Sequence, residues 1–258
     1  MPIYDMAGIE SVKKISEIAD KSNYYSVLFV YHSLSNDYWI RCANALNTNQ
    51  KFKYFLAIRT YSISPEYFVM MYRSFNEIQK NRIMFNIVAG DIQSSESSIE
   101  NIITEKEKLN TVEKRVDFTR EWVKKVLFLL EKEEVPELVM SGTSEKTLDS
   151  AAAYADYNLS MLDTYLDNPK RFERNKNRMV CAAMIIRDTY DEAEKIANQI
   201  DHIHQKRWTI YGTENEILQK IKNLKTIGAT DLLIRTHRND LESDRIHEFS
   251  KKYKGVIL

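Results

Sequence analysis

Glycine and proline are scarce in this chain of 258 residues, with 6 and 4 copies, and cysteine occurs twice. So few glycines leave no Gly-x-Gly-x-x-Gly turn, which argues against the dinucleotide-binding form of an open α/β sheet. No stretch rich in glycine or proline marks a linker, so residues 1–258 are read as one domain, long enough to bury a large core. Cys42 and Cys181 are too few and too far apart for a disulfide framework or a zinc site. An excess of one charge is also missing, because 37 Lys plus Arg balance 37 Asp plus Glu. A neutral chain has no basic field for nucleic acid or an anionic membrane surface. No apolar run approaches the roughly 20 residues that span a bilayer. The start, "MPIYDMAGIESVKKI", has no signal-peptide core, so a cytoplasmic location is expected.

What the chain does contain is alternation. Apolar runs of strand length occur at 25–31, 53–58, 82–88, 136–140, 157–162, 179–186 and 231–236. Most are apolar at consecutive positions, the pattern of parallel strands buried on both faces. Between them lie helical patterns such as "IESVKKISEIADKS", with Ile9, Val12, Ile15 and Ile18 on one face. "SPEYFVMMYRSFNEIQK" offers Ser64 as N-cap and Pro65 at the first helical position. This predicts an α/β protein with a parallel sheet, most economically a (β/α)8 barrel, with a doubly wound open sheet as the alternative.

Seven strands are clear and the first of eight is not, so the barrel is a trimmed one whose first strand is degenerate or replaced. "MPIYDM" carries Pro2, which cannot donate a ladder bond. At the other end, "YKGVIL" follows a helical pattern, and a right-handed walk brings Val256, Ile257 and Leu258 to the first-strand slot. Residues 2–6 as a short first strand are the alternative.

In a barrel, side chains at the C-terminal strand ends line the active site. Those ends supply His32, Arg59, and then Asn86, Ala89, Gly90 and Asp91. They continue with Ser141, Gly142, Thr143 and Ser144, and later with Asp163, Thr164, Arg187, Asp188, Arg235, Thr236 and His237. His32 titrates near neutral pH and suits an acid or donor role, or a structural hydrogen bond. Arg59 suits a bidentate grip on an anionic substrate, or a structural ion pair. In "ELVMSGTSEKTLDSAA" a strand ends and a helix opens at once, which makes either a phosphate site or a simple helix cap. Cys42 and Cys181 read as buried packing residues, and His202, His204 and His247 as exposed ones.

Six stretches in order then carry a resemblance: "FVYHSLSNDYW", "KYFLAIRTYSISP", "NRIMFNIVAGD", "DFTREW", "SGTSEKTLDSAAAYAD" and "GTENEILQKIKNLKTIGATDLLI". Together they resemble the bacterial luciferase-like superfamily of flavin-dependent monooxygenases, in particular its alkanesulfonate monooxygenase branch. The resemblance implies that Asn86, Ala89, Gly90 and Asp91 lie beside an isoalloxazine ring, with the FMN phosphate at Ser141, Gly142, Thr143 and Ser144. It implies reduced FMN from a separate reductase, O2, a small organic substrate of sulfonate type, and paired subunits. The chain also departs from the branch. Ala89 replaces a threonine, Cys181 and Ala183 replace an arginine and a histidine, and Val112 or Val116 replaces a tyrosine. The lid-bearing insertion is reduced to "DHIHQKRW". Those losses open a second reading, a flavin-binding or degenerate barrel with a binding or assembly role, and the resemblance allows a third, a deazaflavin-dependent reductase, because related barrels bind that cofactor.

Overall fold

The computed structural model describes residues 9–22, 24–30, 37–46, 51–90, 109–199, 207–235 and 240–253. The elements run α1 (Ile9–Lys21), β1 (Ser26–Phe29), α2 (Tyr38–Ala45), β2 (Lys53–Arg59), α3 (Pro65–Ile78), β3 (Ile83–Val88), α4 (Val112–Leu129) and β4 (Glu137–Ser141). They continue with α5 (Glu145–Tyr154), β5 (Tyr157–Met161), α6 (Leu162–Asp167), β6 (Asn177–Ile186), α7 (Tyr190–Gln199), β7 (Thr209–Gly212), α8 (Glu214–Thr226), β8 (Asp231–Arg235) and α9 (Asp240–Lys252). Helix starts follow local chemistry. The Ser64 hydroxyl accepts from the Tyr67 N–H at 3.2 Å ahead of Pro65, and Thr213 and Glu216 form a reciprocal capping box on α8.

Every strand pairing is parallel, in the order β1-β2-β3-β4-β5-β6. The ten-residue β6 then serves two further partners. Its Met179–Ala183 half pairs with Asp231–Arg235 of β8, and Ala183–Ile186, past the end of the β5 register, pairs with β7. Inward side chains decide which of these belongs to the barrel. The interior cluster takes Leu28, Phe55, Met84, Val139, Leu159, Met179, Cys181 and Leu233 from β1 to β6 and β8, and nothing from β7. Thus β7 is an added rim strand, and with only Ile210 and Tyr211 apolar in Thr209–Gly212 it does not register in the sequence pattern. The structure is a trimmed (β/α)8 barrel whose described residues supply seven staves, with no described strand between β8 and β1. Residues 2–6 and 256–258, the two candidates for that slot, lie outside the described residues.

Helices cover the sheet by aromatic packing. Phe68 of α3 meets Phe85 of β3 at 4.6 Å and Trp122 of α4 at 4.9 Å between ring centroids. Trp39 of α2 joins them at 5.3 Å from Phe85. Each such contact adds roughly 0.5–1.5 kcal/mol beyond area burial. On the side where β8 and β1 are not paired, α9 reaches the chain between α1 and β1. Tyr24 Oη lies 3.0 Å from His247 Nδ1, and Ser250 Oγ donates to Tyr24 Oη at 3.1 Å. This corrects the expectation of an exposed His247, which is 6% exposed. The polar sequence around it belongs to the outer face of α9, and its own side chain turns inward. The basic segment at 167–178 packs onto α5. Phe172 is fully buried, while Arg171 and Arg174 pair with Glu145 and Asp149 of α5.

Candidate functional site

Strands β1 to β5, β6 and β8 end around a cavity of about 810 Å³. Eight of the residues expected from the sequence line it: Arg59, Asn86, Ala89, Gly90, Ser141, Gly142, Thr143 and Ser144. His32, Asp91, Thr236 and His237 lie outside the described residues, as do His202 and His204. Thr164 and Arg235 also face the cavity. Arg187 and Asp188 do not. They border a separate groove between β6, α8 and α9, where Asp188 pairs with Arg245. Asp163 accepts from the Thr164 N–H and serves its own helix start.

The polar wall is built by two adjacent strands. Asn86 of β3 and Ser141 of β4 both point inward, and Ser141 Oγ donates to Asn86 Oδ1 at 2.6 Å. That bond fixes the amide and leaves Asn86 Nδ2, with no partner among the described residues, as a donor for a ligand. Beyond Ser141 the backbone turns at Gly142, whose φ of +140° favours glycine. A Cβ there would sit 2.8 Å from Thr147 Cγ2, so the turn packs directly on the first turn of α5. Asn158 of β5 donates from Nδ2 to the carbonyls of Met140 and Gly142, both at 3.1 Å, and pins the turn from behind. Gly90, at φ +87°, would carry a Cβ 2.7 Å from the Tyr61 hydroxyl, so the end of β3 is equally tight.

Of the two readings that the sequence left open for this turn, the helix cap falls to Ser144. Ser144 Oγ caps α5, accepting from the Thr147 N–H at 3.2 Å and lying 2.8 Å from Thr147 Oγ1. The Thr143 hydroxyl has no hydrogen-bond partner among the described residues and lines the cavity. Glu145 in the first turn of α5 would repel an anion there. Arg171 and Arg174 neutralise it at 2.7 Å each and hold its carboxyl below the usual range. A helix N-terminus with an available hydroxyl and a neutralised carboxylate fits a phosphate.

Apart from Arg59 and Arg235, the rest of the lining is apolar or neutral. Val112 and Val116 both face the cavity, as do Ala89 and Cys181. Burial pushes the Cys181 thiol up to about 11, although Arg235 pulls the other way. Ala183 is fully buried and packs in the outer core. Arg235 stacks its guanidinium 4.9 Å from the centroid of the Trp208 ring. Trp208 could not be tied to the site from the sequence, since only the pairing of β6 with both β7 and β8 brings it beside Arg235. Among the described residues no group of three or more His, Cys, Asp or Glu is placed to hold a metal. No described helix is long and apolar enough to cross a membrane.

No family model matches the chain. Solved structures do share its architecture. An F420-dependent secondary alcohol dehydrogenase, in complex with an F420-acetone adduct, is similar at 15% identity and TM-score 0.72 over 98% of this chain and 95% of that one. The EDTA monooxygenase of Chelativorans sp. BNC1 is similar at 10% identity and TM-score 0.77, over 97% and 88%. The oxygenating constituent of 3,6-diketocamphane monooxygenase of Pseudomonas putida, in complex with FMN, is similar at 12% identity and TM-score 0.69, over 96% and 92%. Identities this low establish a common fold, that of barrels whose representatives include FMN- and F420-linked enzymes.

Proposed function

We propose that this chain binds a flavin-type cofactor, FMN in the first instance, and acts as a flavin-dependent monooxygenase on a small organic substrate. The carrying observation is one continuous wall. The phosphate-suited turn at Gly142, Thr143 and Ser144 adjoins the Ser141–Asn86 pair and the Ala89–Gly90 strand end, inside a single cavity. Its volume, about 810 Å³, falls within the roughly 300–1,000 Å³ of sites that enclose a cofactor or drug-sized ligand. Thr143 and the start of α5 would hold the phosphate, and Asn86 would donate to the ring edge. The apolar side chains of Val30, Ala57, Val88 and Val116 would exclude water. Reduced flavin, when bound, supplies the electrons that activate O2, and a separate reductase is the expected source of the reduced form. A homo-oligomer is proposed alongside, on the family resemblance.

The direct test is titration with oxidised and reduced FMN, and with F420, followed by absorbance and fluorescence. Micromolar or tighter affinity for FMN in either form supports the proposal. Affinity for F420 alone would move the chain to the deazaflavin-dependent class, and affinity for none would remove the proposal. A second reading, a flavin-binding barrel without turnover, is favoured by one observation. The described lining residues with ionisable side chains are two arginines and a thiol at about 11, so they include no acid or base that titrates near neutral pH. Oxygen consumption with a flavin reductase and bound FMN, above the uncoupled rate, would refute that second reading.

A further inference from the structure

We infer that Arg115 is a positioning residue for the cofactor. Its guanidinium fixes the end of β3 and sets a buried positive charge behind it, so that the site favours the reduced, anionic form of a flavin over the oxidised form. The inference rests on the flavin proposal and concerns a residue that is not itself part of the cavity lining.

Arg115 lies on α4 and is 3% exposed. Its Nε donates to the Gly90 carbonyl at 3.2 Å and its Nη1 to the Leu109 carbonyl at 3.1 Å. Among the described residues no carboxylate pairs with it. Asp117, two positions on, pairs instead with Lys146 and Arg120. A guanidinium is a permanent cation, and one buried against neutral carbonyls alone costs stability and keeps an unbalanced field around it. That field acts at the cavity wall. Gly90, bonded to the guanidinium, lines the cavity, and so do Val112 and Val116 of the same helix. Val88 and Ala89 make the rest of that strand end apolar, so a charge just behind it is weakly screened.

The charge is also held in place. Arg115, Thr119 and Trp122 fall at i, i+4 and i+7 on the buried face of α4. Thr119 Oγ1 lies 2.8 Å from Thr60 Oγ1, and Trp122 Nε1 donates to the Ile63 carbonyl at 2.7 Å. One helix face thus grips the chain at the ends of both β2 and β3, and a charge fixed in this way acts on a ligand without reorganisation. Oxidised flavin takes up two electrons and one proton to give the anionic reduced ring. A fixed cation beside the ring therefore stabilises the reduced form and not its neutral precursor. Arg59 and Arg235 also line the cavity, so the assignment is made by removing the charge of Arg115 alone.

The test measures the affinity of wild-type, Arg115→Gln and Arg115→Lys protein for oxidised and for reduced FMN, with Tm read alongside. Wild type should bind the reduced form more tightly. Arg115→Gln still offers a donor to a carbonyl but has no charge, and it should lose about 10-fold more affinity for the reduced form than for the oxidised one. For a two-electron couple that lowers the potential of the bound flavin by about 30 mV. Arg115→Lys should keep most of the wild-type ratio. A clamp that only ties the chain together would lower Tm and weaken both forms by the same factor, and that outcome would overturn the inference. So would a ratio in Arg115→Lys that falls as far as in Arg115→Gln. If Arg115→Gln does not fold, the wild-type protein decides. Its bound reduced FMN should stay ionised to lower pH than free reduced FMN, read by absorbance, and an ionisation at or above the free value would overturn the inference. Wild type that binds FMN in neither form would remove the flavin proposal and this inference with it. Wild type that binds both forms, with the same ratio in Arg115→Gln, would overturn this inference alone.

Discussion

Thr143→Ala and Ser144→Ala, made separately, should have different consequences, although the two hydroxyls are neighbours in sequence. Ser144 Oγ is committed to α5, where it accepts from the Thr147 N–H. Its removal leaves a helix-start donor unmet at a cost of about 1 kcal/mol. In a chain of this size that amounts to a fall in Tm of about 2–4 °C. The Thr143 hydroxyl has no partner to lose among the described residues, so Thr143→Ala should melt like the parent. If the cavity holds a flavin phosphate at this turn, the same substitution removes a hydrogen bond to a charged group, worth about 1.5–3 kcal/mol. That corresponds to roughly 10- to 100-fold weaker FMN binding. Thermal melts and a fluorescence titration of each variant read the two quantities independently. An FMN affinity within about twofold of the parent in Thr143→Ala would refute the phosphate assignment. An unchanged Tm in Ser144→Ala would refute the division of roles.

Gly142→Ala should lower both Tm and flavin affinity, since φ is +140° and the new methyl would meet Thr147 Cγ2 at 2.8 Å; a cost of about 1–3 kcal/mol is expected, and a variant that melts like the parent would count against the turn. Cys42 is fully buried and burial holds Cys181 near 11, so neither thiol should react with a colorimetric disulfide reagent at pH 8 until denaturant is added. Fast labelling of Cys181 in the native protein would show that its environment is not the one described. His247 has its pKa pushed below the usual 6.5 by burial, and Nε2 is buried without a hydrogen-bond partner among the described residues. A depressed histidine contributes stability above its unfolded pKa that is lost as pH falls through the folded value. Tm should therefore drop on acidification below about pH 6.5, and His247→Gln should flatten that drop. An identical acid limb in the variant would exclude His247 as its source.

The alternation of consecutive-apolar strands with period-3.6 helices determined a parallel α/β fold, because strands buried on both faces need helices on each side, and the missing Gly-rich turn weighed for a barrel over a doubly wound sheet. Ser64 before Pro65 and Thr213 before Glu216 announced two helix starts, since capping is chemistry between residues three apart. The strand-to-helix turn at 141–144 was legible for the same reason. Ser141, Gly142, Thr143 and Ser144 are contiguous, and a strand-to-helix turn needs no distant residue to be recognised. Arg59, Asn86, Ala89 and Gly90 followed once strand ends were known to share one face of the barrel. What the sequence left open depended on long-range placement. Whether Ser144 or Thr143 caps α5 was settled by the direction of one hydroxyl relative to that helix. His247 was misplaced because the composition around it reports the solvent face of α9, while Tyr24, distant along the chain, draws its ring inward. The rim strand β7 escaped notice because Thr209–Gly212 holds only two apolar residues, and it exists by pairing with the overhang of β6. Trp208 and Arg235, 27 positions apart, meet only because β7 and β8 both pair with β6, and no local pattern encodes that meeting.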